Sequence, residues 1–82
     1  MLGGMNLLLP QEREAVLEAL RRVDIHGDRY VDVALRFDDG TAAGGRLGAA
    51  ELPAGLVAGE RVRARFVMRV LVALRRSGGP AS

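Results

Sequence analysis

The sequence predicts an α+β domain: an N-terminal amphipathic helix followed by a small antiparallel β-barrel or strongly curled sheet of four to five strands. Three observations predict it. Apolar residues recur at three- and four-residue spacing between positions 10 and 22, strict alternation takes over from position 31, and glycines fall where short strands must turn or bend.

Residues 1–9 hold Gly3, Gly4 and a second methionine at Met5, and read as a flexible start. Pro10 suits the first turn of a helix, with Glu12 and Glu14 near its start and Arg21 and Arg22 near its end, where each charge complements the dipole. Ala15, Val16, Leu17, Ala19, Leu20 and Val23 supply one apolar stripe, so a helix over about residues 10–22 is expected to lie on a sheet. His26-Gly27-Asp28 is a turn. Val31, Val33, Leu35 and Phe37 then alternate with Asp32, Ala34 and Arg36, the pattern of a half-buried strand. Asp38-Asp39-Gly40 marks a hairpin, and the returning strand, Thr41 to Leu47, is weakened by Gly44 and Gly45, which suggest a bulge, a bend or a close backbone approach. Residues 48–59 form a connection with room for one helical turn around Leu52 and Leu56. In the last strand region Val62, Ala64 and Phe66 face one way and Arg61, Arg63 and Arg65 the other. The apolar run to Leu74 is too long for one ordinary strand, so a bend or break is expected near Met68-Arg69. Domain organisation is therefore a flexible start at 1–9, one helix-plus-barrel domain at 10–76 and a disordered tail at 77–82. The expected core is the Val31, Val33, Leu35, Phe37 row and the Val62, Ala64, Phe66 row against Val16, Leu17 and Leu20.

Two stretches carry a family resemblance. Val31-x-Val33-x-Leu35, then Asp39-Gly40 and Gly45-x-Leu47, resembles the first motif of Sm-like RNA-binding barrels; the Arg-Gly pair of their second motif has no counterpart in residues 48–82. Leu56-x-x-Gly59-x-x-Val62-x-Ala64-x-Phe66 is similar to the start of a strand in OB-fold barrels, including those of acyl-CoA-associated proteins, whose upstream zinc ribbon this cysteine-free chain does not have. Both resemblances imply a small β-barrel and no particular activity.

At 82 residues the chain is one domain that buries roughly 60% of its unfolded surface, a modest core that a partner would help complete. All 12 basic residues are arginines, and they are unevenly placed. Residues 1–60 hold six arginines against all ten acids, a net −4, whereas residues 61–82 hold six arginines and no acid. Zero cysteine excludes disulfides, thiolate nucleophiles and cysteine-ligated metals, and fits a reducing cytoplasm. A signal peptide is not expected, since Met1 to Leu9 lacks a basic flank, and no apolar run approaches the roughly 20 residues of a membrane span.

For binding, the foremost candidates are Arg61, Arg63, Arg65 and Arg69, with Arg75 and Arg76 beyond. Alternation sets the first three on one strand face about 7 Å apart, a spacing close to that of phosphates along a nucleic-acid strand, and guanidinium forks bind phosphate or carboxylate bidentately. The commoner reading of such a row is a solvated sheet face neutralised across strands, here by Asp32, Asp38, Asp39 or Glu60. For self-association the candidates are Val67, Met68, Val70, Leu71 and Val72, whose apolar excess exceeds what so small a domain covers from within and points to a homo-oligomer contact. His26 with Asp24, Asp28 and Asp32 is the one place where imidazole and carboxylates gather, and it reads as a turn rather than a metal site. No nucleophile elbow or phosphate-cradling glycine loop is present, so neither catalysis nor a cofactor is expected. The chain reads as a non-enzymatic, self-associating binding module, with RNA or single-stranded DNA binding by the arginine row as the alternative and an acidic protein as a further partner for that row.

Overall fold

The structure is a computed structural model that describes residues 10–77. Five antiparallel strands, β1 (Gln11–Ile25), β2 (Asp28–Phe37), β3 (Ala42–Gly48), β4 (Arg61–Val67) and β5 (Val70–Arg76), form one sheet in the order β3-β2-β1-β4-β5. A single 3-10 turn, Ala49–Glu51, interrupts the β3–β4 connection in place of a helical turn around Leu52 and Leu56. Leu56 of that connection is buried and Leu52 half-buried.

The expected N-terminal helix is absent: residues 11–25 are the longest strand, so the described fold is all β. The apolar spacing that imitates a helix comes from a change of phase within this strand. Ala15 and Leu17 point into the core; between Leu17 and Ala19 the register against β2 shifts by one residue, so that Glu18 is the extra residue of a bulge and Leu20, paired with the buried Val33, faces inward again. Inward positions at 15, 17 and 20, with Val16, Ala19 and Val23 on the outer face, reproduce a three-and-four spacing without a helix. A lone helix of that length is marginal in water, whereas β1 is hydrogen-bonded to β4 through Gln11–Val16 and to β2 through Ala15–Ile25. The bulge sits where β1 changes partner, the point at which the sheet bends.

The alternating rows behave as read. Val31, Val33, Leu35, Phe37, Val62 and Ala64 are buried, joined by Ala15, Leu17, Leu47, Leu56, Leu71 and Leu74, while Phe66 is half-buried. Asp38-Asp39-Gly40 makes the β2–β3 turn, with Gly40 at φ 88° and the Phe37 N–H donating to Thr41 O. The break at Met68-Arg69 is a two-residue hairpin that separates β4 from β5.

Four successive antiparallel pairings leave the outermost strands, β3 and β5, running parallel. They approach one another, yet no ladder joins them among the described residues, so the sheet is curled and not closed. Side-chain packing holds the seam instead: Leu71 lies over Gly45, where an added Cβ would stand 2.9 Å from the Leu71 Cβ. Residues 1–9 and 78–82, the start and most of the tail, lie outside the described residues. Ser77, read as part of the tail, is anchored: its N–H donates to Arg61 O at 3.1 Å.

Candidate interaction site

The arginine row lies on the outer face of β4 as alternation predicts, and its neighbours decide its character. Antiparallel pairing sets Glu14 opposite Arg63 and Glu12 opposite Arg65. Arg63 donates to Glu14 Oε2 from Nε at 3.1 Å and from Nη2 at 2.8 Å, and Arg61 reaches Glu14 at 3.7 Å and Asp38 at 3.4 Å. Arg75 pairs with Glu12 at 3.2 Å, and Arg76 pairs with Glu60 at 2.8 Å while also donating to Ala54 O. Asp32 and Asp39, also considered as partners of the row, lie elsewhere: Asp32 takes Arg46 bidentately, and Asp39 stands 3.6 Å from Arg13. Arg65 and Arg69 have no carboxylate within 4 Å among the described residues.

Asp38 and Glu60 thus pair as expected, with Arg61 and Arg76, and the partners not foreseen are Glu12 and Glu14, which helix periodicity assigns to a first turn. Their spacing of two, matching that of Arg61, Arg63 and Arg65, was the signal in the sequence that would have paired the two segments.

Glu14 is the hub of this face. The Ser77 hydroxyl donates to both its oxygens, at 2.5 and 2.6 Å, and together with Arg63 holds its carboxyl below the ordinary 4.5. Asp39 is lowered by the Thr41 hydroxyl and N–H, Asp32 by Arg46, and Glu60 by Arg76 and the Val57 N–H. Because the folded values are depressed, the stability these groups contribute is complete above their unfolded values, 4.5 for Glu and 3.8 for Asp, and is lost as pH falls through the folded values. Urea midpoints followed from about pH 5 to about pH 2 will fall for the parent, fall less for Glu14→Gln, and converge at the acid end.

The hydrophobic candidates divide. Leu71 is core and Val67 half-buried, but Met68, Val70 and Val72 are 59%, 60% and 40% exposed. Val72 is the extra residue of a bulge, since Arg65 pairs with Ala73 and Phe66 with Leu71. Val57, in the β3–β4 connection, is the remaining large exposed hydrophobic among the described residues.

At the end of the curled sheet bounded by the start of β1, the β2–β3 turn and the β4–β5 turn, a pocket of about 270 Å³ opens. The Arg13 guanidinium stacks 3.7 Å from the Phe37 ring centroid, and Phe66 meets Phe37 edge-on at 6.0 Å. Sequence periodicity missed this site because it placed Arg13 on a helix. At the far hairpin, His26 and Gly27 occupy a two-residue turn at φ 51° and 84°, and no three His, Asp or Glu side chains converge on a metal position among the described residues. No helix of the described residues is long and apolar enough to cross a membrane.

Comparisons with protein-family models, with curated proteins and with solved structures find no match.

Proposed function

We propose that this chain is a non-enzymatic interaction module that associates with a second copy of itself along β5. The observation that carries the reading is the clustering of three of the four large exposed hydrophobics among the described residues at one place, Val70 and Val72 on the strand that ends the sheet and Met68 in the turn that leads into it. β5 carries no proline or lysine to blunt it, and no backbone ladder joins it to β3 among the described residues, so its outer edge offers hydrogen-bonding groups to another strand wherever the packing of Leu71 on Gly45 leaves it open. Pairing two such edges about a two-fold axis buries the same patch on both copies. Four of the six C-terminal arginines are already matched by acids within the copy, which lowers the repulsion that two basic strands would meet on approach. A cytoplasmic setting accords with the absence of cysteine.

Light scattering behind size exclusion, at roughly tens of micromolar chain, is expected to give a mass of two chains or more, and Val70→Lys/Val72→Lys is expected to give one with unchanged circular dichroism. A monomeric parent, or an assembly indifferent to the double substitution, overturns the reading.

One observation favours a second reading. Arg65 and Arg69 lack acidic partners, and a five-stranded, partly open barrel is an architecture that OB-fold proteins use to bind single strands. Arg61 and Arg63 would have to leave Glu14 to contribute. Binding of mixed oligonucleotides that weakens steeply with salt, and whose salt slope drops by about 1.4 for Arg65→Ala/Arg69→Ala, supports it. Undetectable or salt-indifferent binding at low salt removes it.

A further inference from the structure

The pocket at the end of the curled sheet combines two cations with aromatic walls. The Arg13 guanidinium carbon stands 3.7 Å over the Phe37 ring, a contact that holds the cation at the pocket wall. Its carboxylate neighbour is Asp39, at a loose 3.6 Å, and the other oxygen of Asp39 is already taken by the Thr41 N–H and hydroxyl at 2.9 and 2.5 Å. Arg69, which lines the same pocket, has no carboxylate within 4 Å among the described residues. One partly engaged acid therefore faces two guanidinium groups, and the balance is positive.

The turn that delivers Arg69 is itself unusual. Met68 and Arg69 both occupy the left-handed region, at φ 53° and 69°, in a hairpin that favours Asn-Gly. Two long side chains are thus kept in an unfavourable backbone conformation at the mouth of the pocket, where Asn-Gly would relieve the strain and remove both. Met68 supplies an adaptable apolar wall and the half-buried Phe66 a flat one.

We propose that this pocket binds a small carboxylate carrying a flat apolar body, an aryl acid whose carboxylate lies between Arg13 and Arg69 and whose ring lies against Phe66 and Met68. The charge selects an anion, and the aromatic walls select its body. The site is built within one copy and does not rest on self-association, with which it shares Met68 alone, so the monomeric Val70→Lys/Val72→Lys chain is expected to keep it.

The test titrates the full chain, labelled with nitrogen-15, with phenylacetate, and with acetate and benzyl alcohol as partial ligands. Phenylacetate is expected to bind with Kd on the order of 1 mM, shifting the amides of Gln11, Arg13, Thr41, Met68 and Arg69. Acetate and benzyl alcohol are each expected to bind at least about tenfold more weakly, and Arg69→Gln, on an exposed turn where folding is not at stake, to weaken phenylacetate about fivefold. Benzyl alcohol matching phenylacetate, shifts centred elsewhere, no saturable shift by about 10 mM, or an indifferent Arg69→Gln variant would each overturn the assignment.

Discussion

Replacing Gly45 by valine is expected to destabilise the fold by about 2–3 kcal/mol, a large share of the roughly 4–12 kcal/mol that a domain of this length possesses. The seam between β3 and β5 has no hydrogen-bond ladder among the described residues and closes through Leu71, whose Cβ and Cδ2 stand 2.9 and 3.1 Å from where a Gly45 Cβ would be. Those atoms cannot yield easily, because Leu71 is 4% exposed and its Cβ is tied to the β5 backbone. A branched side chain at 45 must therefore push β5 away and expose Leu71. Leu71→Ala alone empties the same space and costs about 2–4 kcal/mol. In the double variant Gly45→Val/Leu71→Ala the Cβ–Cβ contact remains, but the Cδ2 contact is gone and the new methyls occupy part of the vacated volume, so the combined loss falls short of the sum of the two by about 0.5–1 kcal/mol. Thermal or urea unfolding of the four chains measures this coupling; strict additivity would mean that the seam is not closed there.

The two readings of the arginine row are also separable by position. Where an acid on β1 faces an arginine on β4, the pair belongs to the sheet's own charge balance, and substitution there disturbs folding as well as binding. Arg65 faces Glu12 in the ladder without an ion pair to it, and Arg69, between the exposed Met68 and Val70, lines the end pocket. Any partner of this surface thus meets an apolar strip flanked by two arginines rather than a continuous basic stripe. The charge imbalance along the sequence, acids early and arginines late, is largely a record of β1 lying beside β4 and of Arg75 and Arg76 reaching back to Glu12 and Glu60.

How much of this was legible depended on phase. From Val31 to Phe37 and from Val62 to Ala64 alternation is unbroken, and those residues are buried as the pattern requires. The Asp38-Asp39-Gly40 hairpin and the break at Met68-Arg69 were legible because local chemistry or excess length demanded them. β1 was not, because one inserted residue, Glu18, converts a period of two into an apparent helical stripe built from alanine, leucine, glutamate and arginine, all good helix formers. Two arginine partners, Glu12 and Glu14, were lost to that error, since acids assigned to a helix start could not be matched to a strand, whereas Asp38 and Glu60 were legible. The pocket was illegible for another reason: Arg13, Phe37 and the Phe66–Arg69 pair come from three separate segments that only the curl of the sheet brings together.

The phase change in β1 carries a second large and checkable effect. Leu17 has no exposed surface and packs beside Leu35 and Val62, so Leu17→Ala is expected to cost about 3–4 kcal/mol, enough to bring so small a domain close to its unfolding midpoint in little denaturant. Val16, one residue earlier, lies on the outer face opposite Arg36 and Arg61, and Val16→Ala is expected to cost less than about 1 kcal/mol. Past the bulge the parity changes: Leu20→Ala is expected to be costly, by about 1–2 kcal/mol at its half-buried position, while Ala19→Ser on the outer face is nearly neutral. A helix would instead make Val16, Leu17, Leu20 and Val23 costly together, as one stripe. An uninterrupted strand would make positions 15, 17 and 19 costly and spare 20. The bulged strand alone gives the order costly at 15 and 17, tolerant at 16 and 19, costly at 20. Urea midpoints for the alanine and serine series decide among the three, and a large loss at Val16 comparable with that at Leu17 would restore the helix and remove the sheet on which the pairing of Glu12 and Glu14 with β4 depends.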